Sequence, residues 1–259
     1  MDSRKAFFLI WIALAAGIII GWQGLQGKQI PTAFLATQFS GQTGVELREG
    51  SIEMPILAVN SQTGEGAVQT ARIDLVSGKG RVLFNTNPFV EPDTQQSVET
   101  AAQVAQAITN MRLQKNDLIY QMSAQSAGLV GGPSAGAALT LATWALLEGK
   151  KIRKDIAVTG TILPDGQIGQ VGGILEKAQA AGKAGVKTFF VPLGESKVVF
   201  YERQIQERKG QGFILQQVNY IPHSVDLNQA MSQEYGMQVK EVGHILDLAN
   251  LAFETSLKI

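Results

Sequence analysis

Residues 6–22, AFFLIWIALAAGIIIGW, run without a charge for 17 residues, at the short end of what a helix needs to cross a bilayer. Arg4 and Lys5 precede the run, and Trp22 closes it at an interface position. The pattern is that of a signal-anchor, or of a cleaved signal peptide, and no clean small-x-small cleavage site follows it. The excess of positive residues before the run places the N-terminus inside and the body of the chain outside. Residues 24–50, rich in Gly, Gln and Thr, read as a linker.

From residue 51 the apolar positions alternate. Residues 52–59 and 67–76 predict strands joined by a turn at 63–66, and a turn at 77–80 leads to a third strand over 81–84. Val98, Ala101, Ala105 and Ile108 then recur at helical spacing, which predicts a helix over 94–113 started by Asp93 and Gln96. A strand over 118–122 and a loop over 125–132 follow. The stretch 131–149, GGPSAGAALTLATWALLEG, is apolar nearly all round, as a buried helix is, and Gly149 stands at its C-cap. Beyond it the pattern predicts a strand over 156–163, a turn at 164–166 and a returning strand over 167–171. Gly172 and Gly173 open a helix over 174–184, and a buried strand covers 187–192. The remainder reads as a helix over 196–208, a strand over 213–218, and helices over 225–235 and 240–257. Strands and helices alternate without a regular βαβ rhythm, which indicates an α+β domain with mixed sheets over 51–259, behind an anchor or signal segment at 1–23.

Charge and composition narrow the chemistry. The 22 basic and 22 acidic residues cancel, so there is no electrostatic case for nucleic acid. The absence of cysteine excludes disulfides, thiolate metal sites and cysteine catalysis. Two histidines, His223 and His244, are too few for a histidine metal cluster, and neither a metal nor another cofactor is expected.

Ser134 sits between a glycine-rich loop and the buried helix. A hydroxyl there lies beside free backbone N–H groups and the positive end of the helix dipole, which is also where an ordinary serine N-cap sits. Gly132-Pro133-Ser134-Ala135-Gly136 satisfies G-x-S-x-G, but no apolar strand precedes it and no histidine lies upstream. His244 falls on the apolar-striped helix over 240–257, and His223 in a loop after Pro222. The other base open to a serine is a lysine, whose pKa must then fall by about 3 units from its free value, a differential cost of about 4 kcal/mol. Burial lowers it, and so does a helix N-terminus. Lys177 meets both conditions, in the first turns of the helix over 174–184 and flanked by apolar and alanine residues, whereas Lys183 and Lys187 lie near its far end and read as solvated. A lysine on an amphipathic helix is ordinarily a surface residue, so position alone does not carry Lys177.

The stretch 131–192 resembles the peptidase domain of the Lon protease family. It carries P-S-A-G around Ser134, a Gly-Lys pair at 149–150, R-K-D-I-A-V-T-G at 153–160, G-x-I-x-x-V-G-G-I-L-E-K-x-x-A-A at 166–181 and G-V-K-T-F-F-V-P at 185–192. Weaker similarity covers Gly78-Lys79-Gly80-Arg81 and the last helix, so the likeness extends over roughly 45–259. The resemblance implies a fold like domain 2 of certain ribosomal proteins, a two-layer α/β arrangement. It implies Ser134 as nucleophile and Lys177 as general base, 43 residues apart, with Thr159 orienting the lysine. Gly132, Pro133 and Ala135 belong to the loop expected to hold an oxyanion. It further implies peptide-bond hydrolysis through an acyl-enzyme and a hexameric ring, and without an unfoldase module unfolded polypeptides are the expected substrates. Three departures from the family stand out: Gly131 replaces an acidic residue, Thr161 a glutamate, and Tyr120 and Met122 upstream histidines. No G-x-x-x-x-G-K-[ST] motif occurs, so hydrolysis without ATP is expected. A catalytically silent binding or assembly module is the second reading. A small-molecule kinase is the third, because the G-G-P-S-A-G-A-A loop also resembles the phosphate loop of the galactokinase–mevalonate kinase group.

Overall fold

The computed structural model describes residues 47–254 except 61–62, 86–88, 124–128, 131 and 211–212. The expected anchor at 6–22 and nearly all of the linker lie outside the described residues. Among those described, no helix is long and apolar enough to cross a membrane.

Four strands form the first sheet, in the order β1 (Gly50–Val59), β2 (Gly66–Ser77), β5 (Asn116–Ser123), β3 (Val82–Asn85). β1, β2 and β5 are antiparallel neighbours, and β3 joins β5 in parallel. Alternation decides the buried face: Ala71, Ile73 and Leu75 of β2 point inward between exposed or half-buried neighbours. The turn before β3 is fastened by Asp117, whose Oδ1 accepts the N–H groups of Lys79 and Arg81, each over 2.8 Å, while Oδ2 accepts from the Arg81 guanidinium. These donors hold the Asp117 carboxyl well below the usual carboxylate range.

The inner face of this sheet carries α1 (Pro92–Thr109) and α2 (Gly136–Glu148). α1 begins at Pro92 after Glu91, so Asp93 lies inside the first turn instead of capping it. Asn110 in the left-handed conformation (φ 53°) ends the helix before residue 113. α2 is buried along nearly its whole length and stops at Gly149 (φ 66°), as its pattern predicts. Short pairs flank it: β4 (Phe89–Val90) with β6 (Leu129–Val130), and β8 (Thr161–Ile162) with β9 (Ile168–Gly169).

A second, parallel sheet has the order β13 (Gln238–Val242), β10 (Thr188–Pro192), β7 (Ile156–Val158). β10 is buried on both faces, as expected of a parallel strand covered by helices. Phe190 joins the core shared with α2 and α5 (Ile245–Ala252). Phe189 and Val191 join a separate core with α3 (Ile174–Lys183) and α4 (Leu227–Tyr235). The mixed α+β expectation holds, and helices on both faces of this sheet add a layer to the two implied by resemblance.

Several expected elements fold differently. The helix over 196–208 is instead β11 (Lys197–Gly210), paired antiparallel with β12 (Phe213–Asp226) through their full lengths. Val198, Val199, Phe200 and Tyr201 favour an extended chain, and Val198 and Val225 turn inward onto the second core. His223 therefore lies in β12 opposite Phe200, not in a loop. Helix α4 starts at Leu227, where the Asp226 side chain accepts the Gln229 N–H over 3.0 Å. The expected helix over 240–257 splits into β13 and α5. His244 caps α5, its Nδ1 accepting the Leu246 N–H over 3.2 Å, and so is not a packing residue on the helix face. The strand over 156–163 breaks at Thr159 and Gly160, for a reason that lies in the site.

Candidate active site

Ser134 does not cap α2. It lies in a 3₁₀ turn, Pro133–Ala135, that precedes the helix, and its side chain makes no capping hydrogen bond. Gly132 enters this turn at φ 91°, a conformation that side chains rarely adopt. Behind it, Gly136 faces Ser97 and Ile162 so closely that a Cβ would lie 2.7 Å from Ser97 Oγ and 2.8 Å from Ile162 Cγ2. The turn is thus pressed onto its support from behind while its front remains half-buried.

The break between β7 and β8 completes that support. The Ser134 carbonyl accepts the Gly160 N–H over 2.9 Å and the Thr159 hydroxyl over 3.3 Å. The Gly160 carbonyl in turn accepts the Ala137 N–H over 3.0 Å. Thr159 is fully buried and its own N–H goes to Phe190 in β10. The parallel sheet is therefore hydrogen-bonded directly to the backbone of Ser134.

Lys177 arrives from the other side. Gly173 (φ 67°) starts α3, and a Cβ there would come within 2.5 Å of Val59 Cγ2 at the end of β1. This close approach sets the first turn of α3 against β1, and Lys177, whose N–H donates to the Gly173 carbonyl over 3.0 Å, is buried in that turn together with Ile174. Lys177 is 4% exposed. Burial drives its ammonium pKa down to about 8 against the opposing pull of the Glu195 and Glu176 carboxylates. Lys183 and Lys187 are exposed, as their positions predict.

Ser134 and Lys177 line the same cavity, of about 360 Å³, together with Gly132, Pro133, Thr161 and Val171. Among the sequence-predicted site residues, Ala135 is buried behind the turn and Thr159 supports it from beneath; neither lines the cavity. Pro133 has no N–H, so any oxyanion donor in this turn must be the amide of Gly132, Ser134 or Ala135. Neither histidine lines the cavity, and His244 Nε2 instead pairs with the Asp165 carbonyl over 3.1 Å. Tyr120, at a position of departure from the family, is fully buried and bonds Thr143 over 2.7 Å. Thr161, another such position, lines the cavity with a hydroxyl in place of a carboxylate.

Residues 95–209 match the model of the Lon protease (S16) C-terminal proteolytic domain. Over that region the chain is similar to the Lon-type serine peptidases. The Lon protease of Buchnera aphidicola subsp. Baizongia pistaciae is 30% identical over 169 residues, which is 63% of this chain and 21% of that protein. The Lon protease of Escherichia coli strain K12 is 33% identical over 133 residues, 49% of this chain and 17% of that protein. Lon protease 2 of Syntrophobacter fumaroxidans is 48% identical over 66 residues, 26% and 8% respectively. The matched region is thus at most 21% of the length of these relatives.

One residue beside this cavity escaped the sequence reading. Glu195 follows β10 in a turn closed by its own N–H on the Pro192 carbonyl. Its Oε1 accepts the N–H of cavity-lining Val171 over 3.0 Å, and burial pushes its carboxyl pKa up. No periodicity or motif marks it, because only the return of the chain after β10 brings it near Lys177.

Proposed function

We propose that this chain is a membrane-anchored, ATP-independent serine endopeptidase working through a Ser134–Lys177 dyad. The observation that carries the reading is a buried lysine, its pKa near 8, opening into the same cavity as a serine freed from helix capping. At pH 8 about half of such a lysine is neutral and able to accept a proton.

In the proposed reaction the neutral Lys177 Nζ takes the proton of Ser134 as Oγ bonds to a peptide carbonyl carbon. The carbonyl π electrons move onto oxygen, which the turn's amide N–H groups stabilise; losing one such donor typically costs about 3 kcal/mol. When the tetrahedral centre collapses, the C–N bond breaks and the Lys177 ammonium returns its proton to the leaving amine. Water, deprotonated by the same lysine, then attacks the acyl carbon; the C–Oγ bond breaks, Lys177 returns the proton to Ser134 Oγ, and the acid leaves. Thr159 contributes by holding the Ser134 backbone, with orientation of the lysine a further part of its proposed role.

Substrates are proposed to be loosely folded polypeptides, because a chain threaded past Val59 and Val171 must be extended to place one carbonyl at Ser134. Residues 6–22 are proposed as a single-pass anchor with the peptidase domain on the exocytoplasmic side, and a homo-hexameric ring as the assembly. Protease accessibility in intact cells tests the topology, and the mass of the detergent-solubilised protein tests the ring.

The central experiment is casein hydrolysis without ATP by the unaltered chain, Ser134→Ala and Lys177→Ala. Hydrolysis by the first alone is expected. Equal rates in all three, or none in any, would overturn the peptidase.

A further inference from the structure

Glu195 is tied down at one oxygen and idle at the other. Oε1 receives the Val171 N–H over 3.0 Å. Oε2 is shut away from solvent, and no hydrogen-bond donor reaches it among the described residues. A carboxylate oxygen buried without a partner is costly to maintain, and ordinary folding offers an easy remedy in a rotation toward water. The Val171 hydrogen bond at Oε1 holds the carboxylate against such a rotation, and the backbone beneath it is itself fixed. The Glu195 N–H is fixed on Pro192, and the next residue, Ser196, donates its N–H to Glu241 Oε1 over 2.9 Å.

The charged groups around Lys177 are few. Glu195 comes from the turn after β10 and Glu176 from α3 itself, and these are the two carboxylates that act on the lysine. Glu241 on β13 adds a negative charge beside Glu195, and is itself engaged by the Ser196 N–H and by the charge of Lys197. Glu176 is the residue next to Lys177 in a helix, and successive helical side chains diverge instead of meeting. Glu195 therefore has a fixed carboxylate, a spare oxygen and, among the described residues, a single buried cation near it.

We infer that Glu195 is a positioning residue of the Lys177 base: its spare Oε2 receives the lysine ammonium formed when the serine proton is transferred, and thereby orients Nζ toward Ser134. The inference rests on the dyad proposed above. The proton leaves Ser134 Oγ, bonds to the Nζ lone pair and stays on nitrogen. Glu195 stays ionised throughout and supplies a charge that is paired only when Lys177 is protonated. Such an arrangement sets two demands against each other. Burial makes the lysine neutral enough to act as a base, and the carboxylate makes the protonated product of that step affordable.

Glu195→Gln keeps an acceptor oxygen for Val171 and removes only the charge, so the fold is preserved. In the full-length chain, kcat for peptide hydrolysis is expected to fall about tenfold with KM changed less than twofold, and the midpoint of the pH–rate profile to move about one pH unit toward acid. The Lys177 titration, followed by NMR of 13Cε-labelled lysine and assigned with Lys177→Met, is expected to move down equally. A purely structural Glu195 would leave both midpoints in place, and that result overturns the inference. If the unaltered chain hydrolyses nothing, the peptidase reading fails by itself. The NMR titration still decides this one: a Lys177 midpoint unmoved by Glu195→Gln rejects the pairing, and a downward shift supports it.

Discussion

The Thr159 hydroxyl donates to the main-chain carbonyl of Ser134 over 3.3 Å, at the place where one strand stops and the next begins. The pair joins the parallel sheet to the turn that carries the serine. Gly160 donates to the same oxygen over 2.9 Å, so the carbonyl keeps a partner if the hydroxyl is removed.

Thr159→Val should therefore be tolerated by the fold and felt by the reaction. Loss of the one hydrogen bond is expected to lower stability by about 1 kcal/mol. A turn held by one donor in place of two should slow peptide hydrolysis about tenfold, because catalytic groups work within narrow limits of position. Denaturant unfolding and steady-state kinetics on the same preparation check the two figures; a wild-type rate would remove Thr159 from the machinery.

The lysine carries a pH signature in the reaction. With its pKa lowered to about 8, the neutral base is scarce below that value and abundant above it. kcat/KM is expected to rise about tenfold per pH unit up to about pH 8 and then level. A profile that is flat between pH 6 and about 9, measured with an uncharged peptide, would mean that Lys177 is not the base.

The same group carries a signature in stability, of opposite origin. Between about pH 8 and 10.5 the unfolded chain holds a proton on Lys177 that the folded chain has released. Stability from this group should therefore rise with pH across that window, and its penalty is complete below about 8. Lys177→Met, which fills the same space without a charge, is expected to stabilise the fold at neutral pH by up to about 3 kcal/mol while abolishing hydrolysis. Its unfolding free energy should vary less with pH in that window. Chemical denaturation at several pH values measures the difference, and a destabilised Lys177→Met would contradict a buried ammonium under strain.

Gly136 offers a test of the support behind the serine. An added methyl would meet Ser97 Oγ at 2.7 Å and the Ile162 backbone nitrogen at 2.9 Å, and the second of these cannot swing aside. Gly136→Ala should cost about 1–3 kcal/mol and displace the turn of Ser134. Reduced labelling of Ser134 by a fluorophosphonate probe, at a temperature where the variant remains folded, is the expected consequence.

The sequence by itself determined a good deal of this molecule. The strands β1, β2, β5 and β10, and helices α2 and α3 with their glycine ends, were legible because each buries one face, or all faces, at a regular period, and a period survives in one dimension. The motifs around Ser134 and Lys177 were legible too, since they are contiguous. The hairpin of β11 and β12 was not: Val198 to Tyr201 fit a helix or a strand by spacing, and only pairing with residues 222–225 selects the strand. The end of the chain differs from its pattern for the same reason, because β13 exists by lying beside β10, and His244 then caps a shorter helix. Tertiary structure alone decided that Ser134 is not a cap, that Thr159 holds its carbonyl, and that Glu195 stands near Lys177. Each of these depends on distances between residues far apart in the chain. Local order already suggested that Lys177 is buried near a helix start, but which groups from distant parts of the chain surround its amine is a property of the folded structure alone.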